Sequence, residues 1–416
     1  MPILLILLLM AAVAARPSHA EVSPTISVGV FSGRYVAACT VVSQSPLHVC
    51  TVAGEDIGTG WDGAPAELVR LRADGGEVRL SCPTIDAEAG ASSWGFDSPT
   101  AITIAPESGP TRSYRGRMVV TAREGRLVFV NEVALEEYLR GVLPAEIPAS
   151  FHPEALRAQA IAARTYALAN LRKHGSQGYD VCDAAHCQVY TGVQDEDPRV
   201  DAAIKDTEGL VVTYEGKPIH AVYHDTCGGR TAGNETAWPG SSALPYLRPV
   251  LDGEGGQAWC ARSPRAVWTR QASQEKLGNA LARFGVQGRV TAVEAAECDE
   301  NGRPKQYRVK TAGGEWVILA GALRSTVNAG LGWDTLPSAD FTAAPNGDSI
   351  VFAGRGNGHG VGLCQWGANE MAKTGKTAEE ILKHYYQGVT VQRIYGGDSA
   401  PSQTARPPAG AASPAG

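Results

Sequence analysis

The sequence predicts an α+β protein, with a β-rich amino-terminal part followed by a mixed α/β catalytic region. Three observations carry this. Up to about Asn131 the chain is a succession of short β-branched runs broken by Gly, Pro and Asp. From Val133 onward apolar residues recur at helical spacing, and Pro153 sits where a first helical turn accepts proline. Farther on, short amphipathic helices and hairpins alternate up to a final Pro, Ala, Ser and Gly tail.

In chain order, MPILLILLLMAAVAARPSHA holds an apolar run from Ile3 to Ala15, shorter than the roughly 17 to 25 residues that span a bilayer. It reads as a secretory signal over residues 1–20, with Ser18 and Ala20 as the small residues before a cut near Glu21. No Lys or Arg precedes the run, so retention as an anchor is the alternative. Residues 21–130 form the β-rich region: ISVGVF, YVAACTVV, HVCTVAG, ELVRLRA, EVRLSC, AITIAP, RMVVTA and LVFVN read as strands, the last two a hairpin through REGR. Residues 131–396 form the second region. VALEEYLRG puts Leu135, Tyr138, Leu139 and Val142 on one helical face and is expected to stop at Gly141, and a longer helix runs from about 153 to 173. DPRVDAAIKDTEG is a short helix closed by Gly209, LVVTYEGKPIHAVYHDT a hairpin turning at Glu215 and Gly216, and SQEKLGNALARF a helix. Strands follow near 289–297, 306–311 and 315–319, then TAEEILKHYY opens with a capping box of Thr377 and Glu380. The tail, 397–416, has nothing to bury and is expected to be disordered.

A 44% apolar content belongs to a globular protein with a real core. The 37 basic and 43 acidic side chains leave a charge of −6, which argues against a general nucleic-acid or anionic-membrane binder and favours neutral ligands. Nine Cys in an exported chain favour disulfides, with at least one thiol left over. Cys39 with Cys50, and Cys227 with Cys260, are candidate pairs that spacing alone does not fix.

Within GVLPAEIPASFHPEALRAQAIAARTYAL, Glu146 lies between Pro144 and Pro148. The two prolines are expected to hold it on a braced loop outside any helix, where a general acid keeps one position with little entropy left to lose. Its apolar neighbours Val142, Leu143, Ile147 and Phe151 should raise its pKa toward the working pH. The plainer reading has Glu146 capping the next helix or pairing with Arg157 or Arg164. On that helix Arg157, Gln159, Arg164 and Tyr166 must either line a polar cleft or tie down the loop.

These residues carry a resemblance. NEVALEEYLRGVLPAEIP, HPEALRAQAIAARTYAL, CQVYTG, YHDTCGGRTAGNETAW, LPYLRPVLD and GRGNGHGVGLCQWGANEMAKTGKTAEEILKHYY, in this order between about 114 and 390, resemble the SpoIID/LytB family of bacterial cell-wall proteins. The resemblance implies a secreted lytic transglycosylase that cuts peptidoglycan glycan strands between N-acetylmuramic acid and N-acetylglucosamine, with Glu146 as the catalytic acid. A lone carboxylate fits that chemistry. Ordinary glycosidases need two carboxylates, whereas here the 6-hydroxyl of the muramic acid attacks intramolecularly and leaves a 1,6-anhydro end. The same resemblance admits a non-catalytic enhancer of a cell-wall amidase or a glycan-binding wall protein.

Gln188 and Tyr190 alternate in an extended segment, so they share a face suited to sugar amides and hydroxyls. Gly228, Gly229, His359 and Gln365 sit in glycine-rich turns, which on their own read as tight turns; the resemblance turns all of these toward a glycan groove. His174, Cys182, His186 and Cys187 make a set that could bind one structural Zn2+ beside that groove, as in some members of the family. A Cys182–Cys187 disulfide is the alternative. Cys364 stands where the family often has Ser, and no acidic partner in sequence supports it as a nucleophile.

Overall fold

The computed structural model describes residues 23–51, 66–83, 87–238 and 240–396; the leader and tail expected at 1–20 and 397–416 lie outside them. The architecture is α+β. An eleven-stranded sheet runs in the order Val181–Cys182, Thr25–Val30, Arg126–Ala134, Arg117–Arg123, Ser93–Asp97, Ala38–Thr51, Ala66–Asp74, Glu77–Cys82 and Ala87–Ala91, with Ile102–Pro106 and Arg112–Tyr114 added off Ala38–Thr51. The REGR hairpin forms as its sequence demands, pairing Arg123 with Arg126 around Glu124 (φ 52°) and Gly125 (φ 71°).

Strand Arg126–Ala134 runs through the expected boundary near 130, and Thr25–Val30 pairs with it antiparallel along its whole length. On its other edge Thr25–Val30 takes Val181–Cys182 as a parallel neighbour, so Cys182 is fixed by the amino-terminal strand. YVAACTVV and HVCTVAG, expected as two strands, are one continuous strand, Ala38–Thr51. Cys39 and Cys50 therefore lie eleven positions apart on it, well beyond disulfide reach at about 3.3 Å per residue, and both are free.

Eight α-helices occur among the described residues: α1 Leu135–Glu146, α2 Pro153–Ala169, α3 Pro198–Asp206, α4 Asn234–Ala237, α5 Gln274–Leu281, α6 Ala320–Leu331, α7 Gln365–Lys373 and α8 Ala378–Tyr385. None is long and apolar enough to cross a membrane. α2 starts with Pro153 after His152, whose side chain caps the Glu154 amide, and it ends at Ala169, short of the expected 173, where Asn170 leaves helical torsions. α8 carries the expected capping box.

α2 is the central partition of the molecule. Ala160, Ala163 and Ala167 pack into the core shared with the large sheet and α1, while Ala155, Leu156, Ile161 and Ala162 pack with α7 and α8 in a second core. Alanine on both sides lets each core approach the helix axis closely. A third core closes around α5, α6 and the strands between Val267 and Arg355.

α1 departs from expectation. It does not stop at Gly141 but continues to Glu146, with Pro144 inside it, and ends at Ile147, whose extended torsions (φ −136°, ψ 138°) obey the restriction set by Pro148. The Ile147 amide still bonds to Leu143 O at 2.9 Å, so the helix closes across the proline. Gly141 is required for packing: a Cβ there would fall 2.6 Å from Gly192 O and from the Tyr190 ring.

Candidate active site

Glu146 thus sits on the last residue of a buried helix, not on a loop. Its carboxylate is half-buried, and one oxygen, Oε1, accepts the Val189 amide at 2.9 Å. Oε2 makes no hydrogen bond to the protein among the described residues. Burial pushes the carboxyl above its ordinary value, with the Val189 amide opposing the shift. No cation pairs with it among the described residues. The arginines that were its possible partners are engaged elsewhere: Arg157 with Glu154 and with Asp206 (2.6 Å), Arg164 with Glu136 (2.7 Å).

Around the carboxylate the chain builds a line of polar groups. Tyr138, on the buried face of α1, donates to Gln188 Oε1 at 3.2 Å, and Gln188 Nε2 donates to Tyr223 Oη at 3.0 Å. Burial raises the pKa of both phenols, and the nearby Glu146 charge adds to the shift, so both stay protonated donors. Since Tyr223 accepts from Gln188, its own proton is free to point elsewhere. Gln365 Nε2 donates to the Glu146 backbone carbonyl at 3.0 Å and approaches Gln159 Oε1 at 3.4 Å, fixing the end of α1 from below.

His359 bonds to backbone through both ring nitrogens: Nδ1 accepts from Val361 N–H at 3.1 Å, and Nε2 donates to Tyr223 O at 2.9 Å. Burial lowers its pKa to about 4, helped by the Arg324 and Arg303 charges, so the ring is neutral at physiological pH. Its contact with this constellation is therefore to hold the backbone of Tyr223. A cavity of about 590 Å³ lined by His359, Trp238, Arg303 and Arg324 does not include Glu146.

Of the other residues singled out in the sequence, Glu146, Gln159, Gln188 and Gln365 come together. Arg164 is fully buried, and every bond it makes, to Glu136, Thr207, Ile204 O and Leu210 O, is internal. Arg157 is taken up by its two ion pairs. Tyr190 does not share an open face with Gln188: both are buried, and Tyr190 Oη donates to Asn131 at 2.8 Å among the rings of Tyr114 and Tyr138. Tyr166 accepts from Lys173 at 3.2 Å. Gly228 (φ 78°) and Gly229 (φ 101°) make a turn that other residues resist, and a Cβ on Gly228 would strike Arg355. Sequence reading missed Tyr138 and Tyr223; the apolar face of α1 hid the first, and the second comes to the site only through the parallel pairing of Tyr223–His224 with Leu363–Cys364.

His174, Cys182, His186 and Cys187 converge within the fourteen residues that precede Gln188, with Cys182 and Cys187 both free. Zinc bonds of about 2.0 to 2.1 Å to nitrogen and 2.3 Å to sulfur set tetrahedral donor separations of about 3.3 to 3.8 Å. The separations here are 3.2 Å (His174 Nε2 to His186 Nδ1), 3.4 Å (Cys187 to His174), 3.6 Å (Cys187 to His186) and 3.8 Å (Cys182 to His186). The donor set and its spacing fit a closed Zn2+ site.

A family model described as Stage II sporulation protein matches residues 123–214, the span from the hairpin through α1, α2, the His and Cys cluster and α3. The chain is 36% identical over 282 residues to Stage II sporulation protein D of Bacillus subtilis (strain 168) and 37% identical to that of Bacillus amyloliquefaciens, covering 63% of this chain and 75% of each relative. It is also 28% identical over 298 residues to a Bacillus subtilis protein named Amidase enhancer, covering 61% of this chain and 40% of that protein. The chain belongs to the SpoIID/LytB family, and with it to proteins of cell-wall function.

Proposed function

We propose that the protein is a secreted peptidoglycan lytic transglycosylase acting on glycan strands, with Glu146 as its acid and base. One observation carries this reading: an unpaired, half-buried carboxylate of raised pKa with one oxygen fixed and the other unbonded. A protonated Oε2 donates to the glycosidic oxygen as the bond to N-acetylmuramic acid breaks. The resulting carboxylate then takes the proton of the muramic 6-hydroxyl as that oxygen closes on the anomeric carbon. The Val189 amide holds the carboxylate still through both steps, and Tyr223 supplies a neutral hydroxyl donor beside it. Gln159, Gln188 and Gln365 set the frame.

His174, Cys182, His186 and Cys187 would hold a Zn2+ that supplies structure alone, since all four positions come from protein. That site fixes the segment from which the Val189 amide reaches Glu146.

The experiment is digestion of denuded glycan strands by the chain alone and in the presence of a cell-wall amidase, read by mass spectrometry. Anhydro-ended products from the chain alone support the reading. The relative named Amidase enhancer favours a second one, in which the protein binds glycan or amidase without cutting; increased amidase product with no anhydro ends supports that instead.

A further inference from the structure

A second cluster of metal-ligating side chains lies in the core between α2, α7 and α8. Cys227, Asp252, Cys260 and Cys364 are all buried, and their ligand atoms all fall within 4.8 Å of one another. They come from three separate segments: the TCGG turn, the stretch after LPYLRPV, and the residue that caps α7. We propose that these four side chains bind a second structural Zn2+.

Four features favour a metal over a disulfide with two bystanders. The Cys227 and Cys260 sulfurs stand 3.6 Å apart, near the roughly 3.8 Å expected for two thiolates on one tetrahedral zinc. Cys364 Sγ accepts two backbone amides, from Cys227 at 3.3 Å and from Gly367 at 3.4 Å, an arrangement that stabilises a thiolate. Asp252 is completely buried and has no cation partner among the described residues; its oxygens accept the Cys260 amide (3.1 Å) and the Tyr385 hydroxyl, as the carboxylate of a metal ligand is commonly held. Thr226 Oγ1, a neighbour of the Cys260 thiol, is buried with no hydrogen-bond partner of normal geometry.

Gly367 completes the cradle, since a Cβ there would lie 2.1 Å from both Asp252 Oδ1 and the Tyr385 hydroxyl. Three soft thiolates select zinc over magnesium or calcium, and four protein ligands leave no open position, so the site is structural. Binding exchanges the thiol protons for Zn2+ and moves no electrons. The consequence is mechanical: Cys364 precedes Gln365, whose amide holds the Glu146 carbonyl, so the metal would anchor the floor of the candidate active site.

The test is metal content by plasma mass spectrometry of the full chain, refolded or purified with zinc, dialysed without chelator, and paired with peptide mapping of disulfides. Two zinc per chain are expected, falling to one in Cys364→Ser and to one in Cys187→Ser. Should the Cys364 variant fail to fold, Asp252→Asn and the wild-type stoichiometry decide. One zinc per chain, lost entirely in Cys187→Ser, overturns the proposal, as does recovery of a Cys227–Cys260 disulfide from the wild-type chain.

Discussion

The Val189 amide donates to Glu146 Oε1 at 2.9 Å, two residues beyond Cys187, so the cluster of His174, Cys182, His186 and Cys187 is joined by a few covalent bonds to the group that holds the carboxylate. A displacement of about 1 Å at a reacting group is enough to lower a rate roughly a hundredfold. Cys187→Ser, or stripping of zinc by a chelator, is therefore expected to reduce turnover by about tenfold to a hundredfold while far-ultraviolet circular dichroism stays close to that of the untreated chain. Full turnover in zinc-free, folded protein would show that the two sites are uncoupled.

The Tyr223 hydroxyl feels the Glu146 charge, and its proton remains uncommitted after the bond from Gln188. Tyr223→Phe removes one hydrogen bond, a loss of about 1 kcal/mol or somewhat more, and should lower kcat about tenfold with KM little changed. A rise in KM at constant kcat would instead make it a group that binds substrate equally before and during the reaction.

Burial raises the Glu146 carboxyl above its ordinary value, so the folded chain holds this proton more tightly than the unfolded chain does. Two consequences have fixed signs. Turnover should decline along a one-proton limb as pH rises through this raised value, because the acid form is the donor. The stability this group contributes is fully present below the unfolded carboxyl pKa and is lost as pH rises through the folded one. Glu146→Gln should accordingly be more stable than the native chain at neutral pH in denaturant melts, and the two should converge in acid. A less stable Gln variant at neutral pH would mean that the carboxylate is held by a favourable charge partner.

Gly141 faces Gly192 O and the Tyr190 ring at distances no Cβ can keep. Gly141→Ala should destabilise the fold by about 1 to 3 kcal/mol through overpacking, whatever alanine adds in helix propensity. Unchanged or increased stability in thermal melts would show that Gly192 and Tyr190 give way to a Cβ at little cost.

Much of this was legible in the sequence because it is local. The REGR hairpin, the Pro153 start of α2 and the Thr377 capping box each depend on residues within one turn of each other. Glu146 stands out through its two prolines, but its setting does not: Pro144 by itself argues against a helix, whereas tertiary packing of Val142 and Leu143 carries α1 across it. Alternation puts Gln188 and Tyr190 on one face, yet it cannot say that both are buried, because the setting of Tyr190 depends on Tyr114 and Asn131, more than fifty residues away. Arg164 was ambiguous for the same reason, since its partner Glu136 lies on the preceding helix. The convergence of Cys227, Asp252, Cys260 and Cys364 spans more than a hundred residues, and no local spacing announces it.

The most direct measurement compares the native chain with Glu146→Gln on denuded glycan strands, scoring anhydro-muramyl ends by mass spectrometry and glycan binding by sedimentation. The amide keeps the shape and can still accept from Val189, but it cannot carry a proton from one oxygen to another. Binding should be retained and anhydro ends should fall to background. Anhydro ends produced by the Gln variant at the native rate would contradict the role of Glu146 as acid and base.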